Sequence, residues 1–247
     1  LDRVTDRGSP IMANRVLSTI RKLFKWGISQ GIITTSPCAV ITAPHQEVSR
    51  DRVLSDEELI AVIQGTNETG SVFGGIIKTL CFTAQRLGEV AEMQWSELDL
   101  ERSLWTIPGD RTKNRKAHFV HLSKQAKLIL ETTPRLGQFV FTMNGEAPFR
   151  GFYKAKHRLD GISGVTEWRL HDIRRTVITG LAKLGIAPHV ADKVLNHQTG
   201  TISGVAAVYQ RHEFLEERKT ALDAWGSYVQ SLLDKTDRDN VVNIQDR

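Results

Sequence analysis

The sequence predicts a mainly α-helical protein with one small antiparallel β-sheet, an α+β fold. Three observations lead there. Apolar residues recur at helical spacing along most of the chain, two short β-prone runs flank a basic turn, and no internal repeat or low-complexity tract breaks the pattern. A length of 247 residues allows one sizeable core and a second, smaller unit.

From Ile11 to Gly31, the residues Leu17, Ile20, Leu23, Phe24 and Ile28 follow a helical period, with Arg21, Lys22 and Lys25 on other faces: an amphipathic helix with a basic side. Gly31 and Pro37 end it, and APHQEVSRDR reads as a polar linker, so a boundary is expected near Gln46 and residues 1–46 form a unit of their own. In SDEE, Ser55 to Glu58, a capping box starts a helix at about Asp56. An apolar helix over about Val72 to Thr83 gives way to AQRLGEVAEMQW, a turn and a further helix bearing Glu89, Val90 and Met93, with Arg86 at the junction. SLWTIP from Ser103 and HFVHL from His118 form a hairpin whose tip, GDRTKNRKA, carries Arg111, Lys113, Arg115 and Lys116. Helical patterns return in SKQAKLILE, in Phe149 to Leu159, in RLHDIRRT, in APHVADKVLNH with Pro188 in its first turn, and in TISGVAAVYQRH. Last, EFLEERKTALDAWGSYVQSLL spaces Leu215, Leu222, Trp225, Val229 and Leu232 along a near-helical face, closing a unit of residues 47–233, and 234–247 read as a frayed polar tail.

Hydrophobic residues at 40% and charged residues at 25% are ordinary globular values, which excludes a disordered chain or a fibre. No apolar run approaches the roughly 18 residues of a membrane helix, and the N-terminus carries no leader pattern, so a soluble, cytoplasmic protein without membrane contact is expected. Cys38 and Cys81 lie far apart in apolar surroundings, as buried thiols do, not as a disulfide or zinc site. The net charge of +5 favours a polyanionic partner. A chain that opens at Leu1 and runs straight into a helix reads as a piece of a longer protein.

His171 and Arg174 are three residues apart, so on a helix they share a face while Asp172 and Arg175 point elsewhere. Alone, such a pair is a solvated basic face. Three more segments give it company: TAQRLGE holds Arg86 and Glu89, TKNRK holds Lys113, and LNHQTGTISGVAAVYQ places His197 twelve residues before Tyr209. In this order the motifs resemble the catalytic domain of the tyrosine recombinases, the phage integrase family, from Ser49 to about His212. Residues 11–31 resemble the end of that family's helical core-binding domain, and the TALDAW tail is similar to that of prophage and genomic-island integrases.

The resemblance implies the tyrosine recombinase catalytic-domain fold and a site-specific recombinase acting on double-stranded DNA in a bacterial host. Tyr209 would attack a phosphodiester to give a 3′-phosphotyrosyl link. Arg86 and Arg174 would clamp the non-bridging oxygens, since planar guanidinium forks suit them. Tyrosine titrates near pH 10, so its attack needs a proton acceptor, for which His171 is the candidate. The resemblance gives Lys113 the proton for the departing 5′-oxygen and His197 a hydrogen bond to the phosphate. Glu89 would orient Arg86, and Arg111, Arg115 and Lys116 would contact phosphates. The link conserves the energy of the broken bond, so no cofactor, metal or ATP is expected. The tail would join a homotetramer on two DNA sites, with accessory DNA-bending proteins as possible partners.

Alternatives stay open at this stage. Lys116 competes with Lys113 as the acid, Arg86 and Glu89 could be a plain surface ion pair, Tyr209 could sit in the core, and the C-terminal helix could pack within its own chain. A DNA-binding accessory protein that keeps the fold without cleaving is the competing function. A metal phosphodiesterase reading of His171 and Asp172 fails for want of ligand spacing. Three positions depart from the family pattern: Ala84 and Asn196 stand where glycine is frequent, and His121 where proline is.

Overall fold

The computed structural model describes residues 1–48, 50–197 and 213–245, with side chains through residue 236. It divides into two compact units, Leu1–Asp51 and Arg52–Arg247. The boundary lies beyond the expected Gln46 because the linker folds back within the first unit. Asn14, on the helix α2 (Pro10–Ser29), donates to the His45 carbonyl at 2.7 Å and accepts from its amide at 3.2 Å. The short helix α1 (Asp2–Thr5) precedes α2 and had no clear sequence signal. After α2, Gly31 takes φ 68°, and the amide of Ile32 returns to the Gly27 carbonyl at 2.9 Å, a glycine-dependent helix stop. Ala13, Leu17 and Cys38 are buried, while Leu23, Trp26 and Ile28 remain exposed.

The second unit begins with α3 (Asp56–Gly65), where the capping box forms as expected: the Glu58 amide donates to Ser55 Oγ at 3.2 Å and the Ser55 amide to Glu58 Oε2 at 2.9 Å. The apolar helix α4 (Ser71–Thr83) runs through the core with Phe73, Ile76, Ile77, Leu80 and Cys81 buried. A short helix α5 (Leu87–Ala91) leads to an antiparallel sheet of β1 (Leu98–Asp99), β2 (Leu104–Ile107) and β3 (His118–His121) in that order. Leu104 pairs with His121 and Ile107 with His118, so Trp105, Ile107, His118 and Val120 face the core. The hairpin was legible; the β1 edge, two residues long, was not.

The remaining helices among the described residues are α6 (Lys124–Glu131), α7 (Phe152–Ser163), α8 (Leu170–Lys183), α9 (Pro188–Val194) and α10 (Leu215–Gln245). The backbone of α10 runs on to Gln245, through the segment expected to be a frayed tail, beyond Leu232 and Leu233, which pack against the core. Of the apolar stripe on α10, the middle packs within the chain, as the alternative reading allowed, while Leu215 is half exposed. Ala221, Leu222, Trp225 and Val229 are buried, Trp225 Nε1 donates to the Cys81 carbonyl at 2.8 Å, and the Tyr228 hydroxyl donates to Asp56 at 2.5 Å. Gly180 of α8 makes the close approach possible, since a Cβ there would collide with the Trp225 ring. His121, the departure from proline, meets Asp223 of α10 at 2.9 Å and so helps dock this helix. No helix among the described residues is long and apolar enough to cross a membrane.

Candidate active site

The site is assembled at the ends of elements, where backbone groups have no helical partner. Ala84 closes α4 in the left-handed region, φ 56°, with its amide returning to the Leu80 carbonyl at 3.0 Å. Its own carbonyl accepts from Arg174 Nη1 at 2.5 Å, and Arg174 Nη2 donates to the carbonyl of Leu195, just past α9. Gln85 donates through Nε2 to the carbonyls of Thr83 at 2.7 Å and Val194 at 3.0 Å. One guanidinium and one amide thereby join the start of α5 to the end of α9.

Arg86 follows Gln85. The Glu89 carboxylate accepts from the Arg86 amide at 2.9 Å and from its guanidinium at 2.8 Å, and it is buried, so it fixes both the backbone and the side chain of the arginine. Arg174, 5% exposed, has its pKa pushed down to about 10 by burial and then by the charge of Arg86, with Glu89 opposing. It remains a cation at neutral pH.

His171 lies on the same face of α8 as Arg174, exposed at its edge. Partial desolvation, then the charges of Arg175 and Arg174, hold its pKa below the ordinary histidine value, with Asp172 opposing. His197 stands past α9, its amide donating to the Asp192 carbonyl at 3.0 Å, and desolvation and Arg174 lower its pKa against Asp192. Both imidazoles also feel Arg86. Arg86, His171, Arg174 and His197, drawn from three segments, therefore share one electrostatic neighbourhood. Asp172 turns away: it accepts from the Arg169 amide at 2.9 Å and pairs with Arg175, capping α8. No group of three or more metal-ligating side chains occurs among the described residues.

Lys113 is exposed at the hairpin tip and lines an open cleft of about 350 Å³ with Arg86, Glu89, Glu92 and Arg111. Arg115, at φ 58°, and Lys116 are exposed. Arg111, whose side chain is 14% exposed, pairs with the Glu97 carboxylate and donates to the Glu89 carbonyl at 2.8 Å, and so braces the helix that carries Glu89. Tyr209 lies outside the described residues.

Sequence reasoning missed Gln85, Glu97 and His118. Gln85 had a faint signal, a polar residue between the apolar α4 and Arg86. His118 had none, since an inward strand position looks the same whatever its partner. Buried at the start of β3, its Nε2 donates to the Val194 carbonyl at 3.3 Å, and its Nδ1 receives Arg218 Nη2 of α10 at 3.5 Å. Burial and then Arg218 push its pKa down to about 3. The unfolded chain takes up this proton near pH 6.5, the folded protein only near 3, so unfolding gains a proton in between. Stability attributable to this group is level above 6.5 and falls by about 1.4 kcal/mol per pH unit below it. His118→Gln is expected to flatten the acid limb of stability by about one proton relative to the parent, read from urea unfolding between about pH 6 and 4.

A family model described as the Phage integrase family matches residues 52–215. The chain belongs to the phage integrase family. This integrase-family chain is 26% identical to Prophage integrase IntA of Escherichia coli (strain K12) over 90% of its own length and 57% of that protein's. It is 27% identical to the Shufflon-specific DNA recombinase of Escherichia coli over 72% of its own length and 46% of that protein's. It thus spans about half the length of these curated relatives. Among solved structures, a lambda integrase (75–356) dimer bound to a COC' core site shares the fold with a TM-score of 0.66 at 20% identity, covering 82% of this chain and 78% of that one. A lambda integrase tetramer bound to a Holliday junction matches with the same TM-score and identity over 82% of this chain and 63% of that one.

Proposed function

We propose that this protein is a site-specific DNA recombinase that cleaves and rejoins strands through a 3′-phosphotyrosyl intermediate, integrating or excising a mobile element. One observation carries the reading: Arg174 donates to the Ala84 carbonyl two residues before Arg86, whose guanidinium pairs with the buried Glu89, and His171 and His197 stand within range of both cations. Such a cluster favours an anion whose oxygens both guanidinium forks reach. A phosphodiester in that place would be held by Arg86, Arg174 and His197, with Glu89 holding Arg86 in line. His171, kept neutral below the usual histidine range, accepts the proton of Tyr209 as the phenol oxygen attacks phosphorus. Lys113 reaches in from the hairpin to protonate the 5′-oxygen as its bond to phosphorus breaks. Charge on the phosphate is met by arginines, so the step requires no metal.

Double-stranded attachment-site DNA is the partner this chemistry needs, and the exposed Lys113, Arg115 and Lys116 extend the cationic surface along it. A homotetramer on DNA fits the reading and is supported by the lambda integrase tetramer on a Holliday junction. Its protomer contacts would use surfaces other than the buried face of α10. The test is a nicked attachment-site duplex that traps the covalent adduct. The parent protein is expected to accumulate adduct equally with and without a chelator, and Tyr209→Phe to form none while still binding. Binding without any adduct in the parent would favour the non-cleaving accessory protein, and loss of adduct with chelator would sink the metal-free mechanism.

A further inference from the structure

The turn that carries Lys113 is fastened at its tip. Asn114 Nδ2 donates to Asn196 Oδ1 at 2.6 Å, joining residues 82 positions apart in the chain. The Oδ1 of the same amide accepts from the Thr112 hydroxyl at 3.0 Å and from the Lys116 amide at 3.1 Å. One side chain therefore closes the turn on both sides of Lys113 and ties it to the residue before His197.

The other end of that tie is itself anchored. Asn196 has φ 52°, a conformation asparagine tolerates far better than most side chains, and its amide returns to the Lys193 carbonyl at 3.2 Å. Immediately before it, the Leu195 carbonyl is held by Arg174, and the Val194 carbonyl by Gln85 and His118. The hairpin tip is thus referenced to the same backbone that Arg174 grips.

We infer that Asn114 and Asn196 form a clasp that positions the Lys113 ammonium for proton delivery to the 5′-oxygen. Both are positioning residues, and the inference rests on the recombinase reading with Lys113 as the acid. A lysine on an exposed turn has four rotatable side-chain bonds beyond a mobile backbone. Fixing the backbone removes one part of the search, and small misplacements of a reacting group lower rates by up to about 10²-fold. In the step concerned, the bond from the tyrosyl oxygen to phosphorus forms and the bond from phosphorus to O5′ breaks. The phenol proton goes to His171, and the ammonium proton of Lys113 goes to O5′, leaving a 5′-hydroxyl.

Sulfur at the 5′-bridging position separates the two ideas, because a departing thiolate needs no proton. Single-turnover cleavage is measured on an attachment-site duplex with oxygen or sulfur at that position, for the parent, Lys113→Ala, Asn114→Ala, Asn196→Gly and the double asparagine variant. Glycine accepts the left-handed backbone at 196 and removes only the side chain. On oxygen, each asparagine variant is expected to be slower by about 10- to 100-fold, and the double variant no slower than either single. On sulfur, all variants regain the parent rate. Equal slowing on both substrates, or no slowing on oxygen, overturns the clasp while Lys113→Ala still shows sulfur rescue. Failure of sulfur to rescue Lys113→Ala overturns the acid assignment and the clasp with it.

Discussion

Arg174→Ala is expected to slow strand cleavage by about 10³-fold and to lower stability by about 2–4 kcal/mol. The two effects have separate origins. The first would be the loss of the guanidinium that the proposed function sets on the phosphate beside Arg86. The second comes from the carbonyls of Ala84 and Leu195, both of which accept from Arg174 and would lose their partner in a buried place. Orphaning a buried acceptor costs about 1–3 kcal/mol, and removing a desolvated charge returns part of that. Arg174→Lys keeps the charge but cannot bridge two carbonyls with a fork. It should recover some stability while cleavage stays well below the parent rate. Urea unfolding and single-turnover cleavage measured on the same preparations check both. A variant that unfolds like the parent would show that the segments before α5 and after α9 are held by something other than this side chain.

Trp225→Ala is expected to lower stability by about 3–5 kcal/mol. The ring is 1% exposed, stacks into the gap left by Gly180, and donates from Nε1 to the Cys81 carbonyl in α4. Truncation removes the largest apolar contact of α10 with the core and leaves that carbonyl short of a donor. Unfolding followed at low protein concentration, where the chain is monomeric, is the decisive measurement. If α10 packed only against a neighbouring copy, the variant and the parent would unfold together under those conditions.

Much of this molecule could be read from local pattern. The capping box at Ser55 and Glu58, the hairpin of β2 and β3, and the helical pairing of His171 with Arg174 each depend on neighbours within a few residues, and each formed. The two missing glycines also make physical sense. Ala84 and Asn196 have φ of 56° and 52°, so the glycine frequent there in the family relieves a left-handed backbone. Asparagine bears that conformation well, and at Ala84 it accompanies a carbonyl that accepts from Arg174.

Long-range choices were illegible. Four cations crowd the hairpin tip, and composition does not say that Arg111 alone turns inward to Glu97, a residue fourteen positions upstream. Nor does the apolar spacing of α10 tell a helix that packs on its own domain from one offered to another copy, since both need the same stripe. Gln85 and His118 act on the backbone of α9 from 109 and 76 positions away, and that separation leaves no periodic trace.

The proximity of Arg86 and Arg174 would couple the stability of the fold to any anion held between them. In the free protein the charge of Arg86 acts against that of Arg174, and the buried Glu89 carboxylate opposes it. On the proposed function, a phosphodiester bound there would supply a counterion to both, so part of its binding free energy would be relief of that repulsion and the loaded scaffold would be the tighter one.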